Sequence, residues 1–202
     1  MTGSGMARAE LDGEGSTARF LLVLTHGAGG STGSPDILAV RDAALGLSAL
    51  VARITQPYRV AGRRAPGTAA RQDAAWVEVI VALRDLAGAS LPLIQGGRSN
   101  GARVACRTAP AAGARAVIAL AFPLHPPGRP DRSRAGELAA AGTDVLVING
   151  DRDPFGVPAS APGTRVVVLA GESHALSRHP EEAGRAAGDW LREMLAGQPG
   201  GR

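Results

Sequence analysis

The 202-residue sequence predicts an α/β fold in which about six mostly parallel strands are covered by helices on both faces. Two observations predict it. Apolar runs rich in β-branched residues recur along the chain, as in strands that are buried on both faces. Segments with apolar residues at three- and four-residue spacing lie between most of these runs, and this alternation is typical of a parallel sheet.

The individual elements follow from the same patterns. Strands are predicted at residues 20–24, 50–54, 91–94, 116–121, 145–148 and 166–169, and helices at residues 35–47, 68–86, 102–111 and 180–195. Thr68 is a residue type that caps helices. Pro180, followed by Glu181 and Glu182, is a typical helix start, because proline suits the first turn and carboxylates interact favourably with the helix dipole there.

Length and polarity set the expected boundaries. We expect one α/β domain at residues 19–197, preceded by a disordered polar segment at residues 1–18 and followed by a disordered tail at residues 198–202. The first segment has no apolar core of the kind that a secretory signal needs. No apolar run approaches the roughly 18 residues that span a bilayer, and the single Cys106 cannot form an internal disulfide. These features predict a soluble, cytoplasmic protein that does not bind membranes.

Composition excludes several classes of protein. The net charge is +4, but the arginines are scattered and aromatic residues make up only 3% of the chain, so we expect no nucleic-acid partner. All 22 basic residues are arginine. Without lysine the chain can form neither a Walker P-loop nor a Schiff base, which excludes pyridoxal-phosphate enzymes. We expect no cofactor and no metal, and the oligomeric state stays open.

The pentapeptide Gly97-Arg98-Ser99-Asn100-Gly101 lies between a predicted strand and a predicted helix. A G-x-S-x-G turn in that context is typical of a nucleophile elbow, which exposes the serine at the end of a strand. An ordinary glycine-rich turn is the alternative, because short glycine motifs occur by accident in a chain with 28 glycines.

A carboxylate and an imidazole follow Ser99 in the order Ser, Asp, His that α/β-hydrolases use. Asp151 and Asp153 both lie just after the strand at residues 145–148, and we favour Asp153 because its spacing places the acid beyond the strand end. His174 lies on a loop after the last strand and is favoured over His179, which abuts the last helix. A serine hydroxyl needs such a base, and the base needs an acid that orients it.

A glycine-rich loop, Thr25-His26-Gly27-Ala28-Gly29-Gly30, follows the first strand. Its small residues leave backbone N–H groups free, so the N–H groups of Gly27 or Ala28, together with that of Asn100, are candidates for an oxyanion hole. We interpret His26 as a buried residue that orders the loop. The loop does not match a dinucleotide fingerprint, because Thr32 takes the place of the third glycine.

Together these motifs resemble the compact KANSL/TEX-type α/β-hydrolase-like proteins, which are themselves similar to dienelactone hydrolase. The resemblance runs from about residue 20 to residue 195 and depends on HGAG at 26–29, PY at 57–58, GRRAP at 62–66, GRSNGAR at 97–103, FPLHPPG at 122–128 and GDRDPFG at 150–156. It implies a minimal, lidless α/β-hydrolase with Ser99, Asp153 and His174 as its triad. The chain departs from the family at Asn100, where methionine is frequent, and at Glu172-Ser173, where an aspartate often precedes the histidine.

Three further residues are candidates for substrate binding. Arg63 and Arg64 lie on a loop from which they could reach an anionic group, although exposed loop arginines without a role are the alternative. His125 either lines the pocket or orders the proline-rich loop around it. The sequence thus predicts a serine hydrolase of small esters, thioesters or related acyl compounds. The alternative is a hydrolase fold used for binding or as a scaffold, with a vestigial triad.

Overall fold

The computed structural model describes residues 1–88 and 90–196, and in them the predicted α/β fold is present. The strands are β1 (Arg8–Asp12), β2 (Phe20–Thr25), β3 (Ala49–Thr55), β4 (Leu93–Arg98), β5 (Ala116–Leu120), β6 (Asp144–Gly150) and β7 (Thr164–Leu169). The helices are α1 (Pro35–Leu45), α2 (Pro57–Val60), α3 (Ala69–Ala87), α4 (Asn100–Ala112), α5 (Ala135–Ala139) and α6 (Pro180–Ala196).

The strands form one sheet in the order β1-β3-β2-β4-β5-β6-β7. Strands β2 to β7 are parallel to their neighbours, and β1 runs antiparallel to β3 at one edge. All six predicted strands and all four predicted helices are present, with shifts of a few residues at their ends. Because the parallel strands end at the same edge, the loops after β2, β4, β6 and β7 are brought together there.

The core lies on both faces of the sheet. Successive residues of β2 point to opposite faces, so Leu22 and Leu24 pack in the layer of α1 and α6, whereas Leu21 and Val23 pack in the layer of α3. All four side chains are buried. This two-sided burial explains why the strands are continuous apolar runs rather than alternating ones.

The N-terminal segment differs from expectation. Residues 1–18 were predicted to be disordered, but Arg8–Asp12 form a strand that pairs with β3 along its whole length. The seventh strand is thus one more than the sequence predicted. Its sequence alternates charged residues with Ala9 and Leu11, but Leu11 is about half exposed, and the strand is held by backbone pairing to β3 and by ion pairs to Arg53. The predicted tail at residues 198–202 lies outside the described residues.

No helix within residues 1–88 and 90–196 is long and apolar enough to cross a bilayer. The segment at residues 121–143 contains only the five-residue helix α5.

The ion pairs of β1 give a test of its contribution to stability. Arg53 Nε lies 2.7 Å from Asp12 Oδ2, and Arg53 Nη1 lies 3.0 Å from Glu10 Oε2. The Arg53 side chain is only 11% exposed. We predict that Asp12→Ala lowers the free energy of unfolding by about 1–3 kcal/mol, because it removes charge-assisted hydrogen bonds from a largely buried guanidinium.

Chemical denaturation measures the effect. Asp131→Ala is the matched control, since Asp131 pairs with Arg129 at the surface and both side chains are more than half exposed. We expect no measurable change in that variant. Equal stability of Asp12→Ala and wild type would show that β1 is not held by these charges.

Candidate active site

Ser99 occupies a one-residue turn between β4 and α4. Its backbone has φ 53° and ψ −113°, a positive φ that a residue with a Cβ rarely adopts. Such a conformation costs about 1–3 kcal/mol and persists only where the surroundings enforce it. The Ser99 N–H donates to the carbonyl oxygen of Leu120 at 2.8 Å, which ties the turn to the end of β5.

The flanking glycines let this turn pack against the end of β2. A Cβ added at Gly97 would lie 2.8 Å from the Thr25 carbonyl oxygen, and one at Gly101 would lie 2.7 Å from the His26 carbonyl oxygen. Real Cβ atoms do not approach backbone atoms so closely. Both glycines of the pentapeptide are therefore required by packing, as expected of a nucleophile elbow.

Ser99, His174 and Asp153 form a continuous hydrogen-bonded chain. His174 Nε2 lies 2.9 Å from Ser99 Oγ, and His174 Nδ1 lies 2.8 Å from Asp153 Oδ2. Since an ionised carboxylate only accepts hydrogen bonds, Nδ1 carries the proton and Nε2 is left to accept from the serine hydroxyl. The ring of Phe155 lies against the imidazole, with 4.3 Å between ring centroids.

The structure separates the two candidates for the acid and for the base. Asp153 is buried and contacts His174, whereas Asp151 is exposed on the same turn. His179 is also exposed, and its Nδ1 lies 3.5 Å from Glu181 Oε1 at the start of α6.

A buried amide holds the Asp153 carboxylate. The side-chain N–H of Asn149 donates to Asp153 Oδ2 at 3.3 Å, and the Phe155 N–H donates to Asp153 Oδ1 at 2.9 Å. The other end of the Asn149 amide accepts from the Phe122 N–H at 2.8 Å. Both oxygens of the carboxylate are thus held by donors, which fix its orientation toward His174.

A buried carboxylate holds the histidine loop. Glu172 is 1% exposed, and its two oxygens accept hydrogen bonds from the N–H groups of Ser177 (3.1 Å) and His179 (2.6 Å). Its own carbonyl accepts from the Arg152 N–H at 2.9 Å. The loop that carries His174 is therefore closed from within and tied to the loop that carries Asp153.

Arg98, the residue before Ser99, also reaches the histidine loop. Its Nη2 donates to the His174 carbonyl at 2.7 Å, and its Nε lies 2.9 Å from Asp36 Oδ2. The Asp36 side chain is fully buried in the first turn of α1. Burial raises the pKa of Asp36, while the positive charge of Arg98 opposes that shift.

The glycine-rich loop lies beside the serine. A Cβ at Gly27 would be 3.2 Å from Ser99 Cβ, so the two residues are in direct contact. Among residues 1–88 and 90–196, no protein group accepts from the backbone N–H groups of Gly27, Ala28 or Asn100. These N–H groups remain available to a ligand next to Ser99.

His26 and Tyr58 hold this loop from behind. The Gln56 N–H donates to His26 Nε2 at 3.1 Å, so Nδ1 carries the ring proton and donates to the Gly27 carbonyl at 2.8 Å. Burial lowers the pKa of His26, which favours the neutral ring that this pattern needs. The Tyr58 hydroxyl donates to the Ala28 carbonyl at 3.2 Å. His26 is thus a buried, loop-ordering residue, in agreement with the sequence interpretation.

A mostly apolar cavity of about 100 Å³ lies beside Tyr58, and Ser99, Asn100 and His174 are not among the residues that line it. Its inner wall includes Tyr58 and Trp76, and its rim includes the exposed Arg63 and Arg71. Gln72 also lines it, and the Gln72 side-chain oxygen accepts from Asn100 Nδ2 at 2.6 Å. The cavity is thus joined to the serine turn through Gln72 and to the glycine-rich loop through Tyr58.

The remaining predicted residues lie on the loops that follow α2 and β5. Arg64 is exposed on the loop after α2. The His125 ring packs against the backbone of Gly156, and His125 Nδ1 lies 2.9 Å from the Pro126 carbonyl. His125 therefore contacts the loop of the acid, and Arg63 is the one of the three that lines the cavity.

Sequence reasoning missed Asp36, Arg98, Asn149 and Glu172. All four are polar residues that the fold buries at or near the ends of strands or at the start of a helix, and each holds a loop of the site. Asn149 and Glu172 stand next to recognised motifs, and Arg98 lies inside one, so their positions were a usable signal. No local pattern in the sequence marked Asp36, because its partner Arg98 is distant in the chain.

Comparison with known proteins places the chain in a large structural class. A model of the alpha/beta hydrolase domain family matches residues 18–185. No curated protein sequence matches the chain.

Solved structures resemble the whole fold. A lidless α/β serine hydrolase from Xanthomonas campestris is 20% identical, with a TM-score of 0.71 over 98% of this chain and 95% of that one. Dienelactone hydrolase from Anabaena variabilis is 18% identical, with a TM-score of 0.74 over 96% and 94%. Est1E from Butyrivibrio proteoclasticus, solved with ferulic acid bound, is 17% identical, with a TM-score of 0.68 over 94% and 96%. At these identities the likeness concerns the fold.

The packing of the serine turn can be tested by adding one methyl group. We predict that Gly101→Ala lowers the free energy of unfolding by about 1–3 kcal/mol, because the new Cβ meets backbone atoms that cannot move independently of β2. Gly136→Ala is the matched control, since a Cβ on that glycine of α5 meets no atom within 4 Å. There we expect no loss, because alanine favours helix.

Thermal and chemical unfolding of both variants provide the measurement. If Gly101→Ala is as stable as Gly136→Ala, the turn is not packed against β2 as described.

Proposed function

The chain belongs to the alpha/beta hydrolase domain family, and on that premise we propose that it is a serine hydrolase. We propose that it acts on small esters, thioesters or related acyl compounds through an acyl-enzyme. The observation that carries the proposal is the unbroken hydrogen-bonded chain from Ser99 through His174 to Asp153.

Each member of that chain has a defined part in the proposed reaction. The oxygen of Ser99 attacks the acyl carbon while its proton passes to His174 Nε2, and the leaving group then takes that proton as its bond to carbon breaks. Water, activated by the same imidazole, then attacks the acyl-enzyme and releases the acid. Asp153 stays ionised throughout and stabilises the imidazolium.

The free N–H groups beside Ser99 supply the proposed oxyanion hole. We assign the N–H of Asn100, at the start of α4, and that of Ala28 or Gly27. Donors held in place before the reaction stabilise the negative charge that develops on the acyl oxygen. His26 supports the assignment, because its Nδ1 holds the carbonyl of Gly27, which belongs to the same peptide as the Ala28 N–H.

The cavity at Tyr58 is lined by none of the triad residues or proposed oxyanion donors, and we propose that it receives the part of the substrate that lies away from the reacting acyl carbon. Its apolar wall and small volume suit a compact hydrocarbon or aromatic group, and the positive rim at Arg63 and Arg71 suits a carboxylate at the end of that group. We therefore propose acyl compounds that carry a second, anionic end. Arg64 adds positive charge to the same loop, and His125, which packs on Gly156, is assigned to ordering the acid loop.

The proposal also includes membership of a narrower group of proteins within the hydrolase family. The motifs at residues 62–66 and 122–128 support membership of the KANSL/TEX-type group within the hydrolase family. The structural likeness to dienelactone hydrolase, at 18% identity, supports the fold alone.

A covalent probe tests the nucleophile. A fluorophosphonate should label Ser99, labelling should be absent in Ser99→Ala, and His174→Ala should react about 10⁴-fold more slowly, because the serine loses its base. Labelling is quantified by intact mass spectrometry. His179→Ala, which removes the exposed neighbouring histidine, is the control and should react as wild type does.

Other outcomes separate the two hypotheses. Undiminished labelling in His174→Ala, or turnover of p-nitrophenyl acetate that persists in Ser99→Ala, contradicts the mechanism. A folded wild-type protein that is not labelled supports the alternative of a hydrolase fold used for binding or as a scaffold.

The substrate class has its own test. We predict that Arg63→Ala raises KM about 10-fold for a p-nitrophenyl monoester of glutaric acid, because a charge-assisted hydrogen bond to the free carboxylate is lost. The KM for neutral p-nitrophenyl butyrate should not change. Arg129→Ala, a surface arginine paired with Asp131, is the control for loss of net charge. Equal effects on the two esters would show that Arg63 does not bind the carboxylate.

A further inference from the structure

Arg98 ends β4, so its backbone sets the position of Ser99 directly. An arginine is an unusual residue at the end of a strand that has neighbours on both sides. Its side chain is only 15% exposed, and a buried guanidinium is costly unless charged or polar partners surround it. The groups that contact the Arg98 guanidinium therefore indicate its role.

The guanidinium meets three separate segments of the chain. Nε lies 2.9 Å from the buried carboxylate of Asp36, an ion pair that lacks hydrogen-bond geometry, and Nη2 donates to the His174 carbonyl at 2.7 Å. Nη1 lies beside the glycine-rich loop, 3.5 Å from the position that a Cβ of Gly27 would take. One planar group thus joins the start of α1, the histidine loop and the proposed oxyanion loop.

Asp36 gives this group a fixed anchor. It lies in the first turn of α1, where a carboxylate is favoured by the helix dipole, and its other oxygen accepts from the Ile37 N–H at 3.0 Å. Helix α1 in turn packs closely on α6, since a Cβ at Gly184 would lie 2.8 Å from the Ala39 carbonyl oxygen. Asp36 and helix α6, which follows the histidine loop, are therefore both held in place by close packing.

The histidine loop receives a different kind of support at this point. Glu172 holds the N–H groups of Ser177 and His179, which follow His174, and leaves the peptide after His174 to be held elsewhere. Arg98 holds the carbonyl of that peptide. Rotation of this peptide would swing the imidazole and change the distance from Nε2 to Ser99 Oγ.

We propose that Arg98 is a positioning residue that sets the distance between nucleophile and base, with its backbone placing Ser99 and its guanidinium, anchored on Asp36, placing His174. The inference rests on the proposed function, because it concerns the same Ser99–His174 pair. It assigns no contact between Arg98 and the substrate.

The first test replaces the planar guanidinium of Arg98 by the ammonium group of lysine. In Arg98→Lys the ammonium reaches Asp36 or the His174 carbonyl but cannot hold both in the same plane. We expect the rate of fluorophosphonate labelling and kcat for p-nitrophenyl butyrate to fall about 10²-fold, as for a small displacement of a reacting group, while KM stays the same. Arg107→Lys is the matched control, since Arg107 is also 15% exposed and pairs with Asp73 and Glu137 away from the triad. Its labelling rate should not change.

A second variant separates positioning from stability. The double variant Arg98→Met, Asp36→Leu removes the buried ion pair as a unit, and such replacements are often neutral or stabilising. We expect thermal unfolding close to that of wild type together with a labelling rate lowered about 10²-fold. A merely structural pair would leave the labelling rate of this folded variant unchanged.

The outcomes are distinct. If either folded variant labels at the wild-type rate, the positioning role is overturned while the proposed function stands. If wild type itself is not labelled, the proposed function fails, and that failure is seen before any Arg98 variant is compared.

Discussion

The close approach of the serine turn to the end of β2 is the constraint on which the site depends. Gly97 and Gly101 lie against the backbone of Thr25 and His26, and Ser99 between them adopts a positive φ. Because β2 and β4 are adjacent parallel strands, their following loops leave the sheet at the same place. The turn therefore brings the serine hydroxyl and the free N–H groups of the glycine-rich loop together without any further element.

Buried polar side chains, rather than a covering domain, hold the other loops. Asn149 fixes the acid, Glu172 closes the histidine loop, and Asp36 anchors Arg98. Each of these side chains is almost fully buried and would cost several kcal/mol without a partner. Asn149 and Asp36 have partners in neighbouring segments, whereas the Glu172 carboxylate holds its own loop and the Glu172 carbonyl accepts from the Arg152 N–H in the acid loop. The penalty of losing these partners is what makes separate loops behave as one rigid site.

The sequence predicted those parts of the structure that local patterns determine. Apolar runs placed β2 to β7, because strands buried on both faces must be apolar throughout. Spacing after the strands placed Ser99, Asp153 and His174. It could not place β1, because three of the five residues in Arg8–Asp12 are charged and the strand is ordered by pairing with β3 about forty residues away, as in the bond from Arg53 to Asp12.

The pairing of Arg98 with Asp36 and His174 was beyond sequence reasoning for a related reason. Arg98 and His174 are 76 residues apart, and nothing local to either one distinguishes a buried guanidinium from a solvated one. The same holds for Gln72, which meets Asn100 across 28 residues. Burial and long-range partnership are properties of the closed fold, so residues that act through other residues escape a search for motifs, whereas residues that react do not.

The triad is partly open to solvent, which affects the formation and the hydrolysis of the proposed acyl-enzyme in different ways. One fifth of the His174 side chain is exposed, and the segment at residues 121–143 supplies only the short helix α5. Exclusion of water would strengthen every charge interaction around the acyl oxygen, and this site gives up part of that gain. In return, water reaches the acyl-enzyme as soon as the leaving group departs, with the same imidazole already in place to activate it. In the proposed reaction, an open site of this kind would favour hydrolysis over transfer of the acyl group to another acceptor, since water has direct access to the acyl-enzyme.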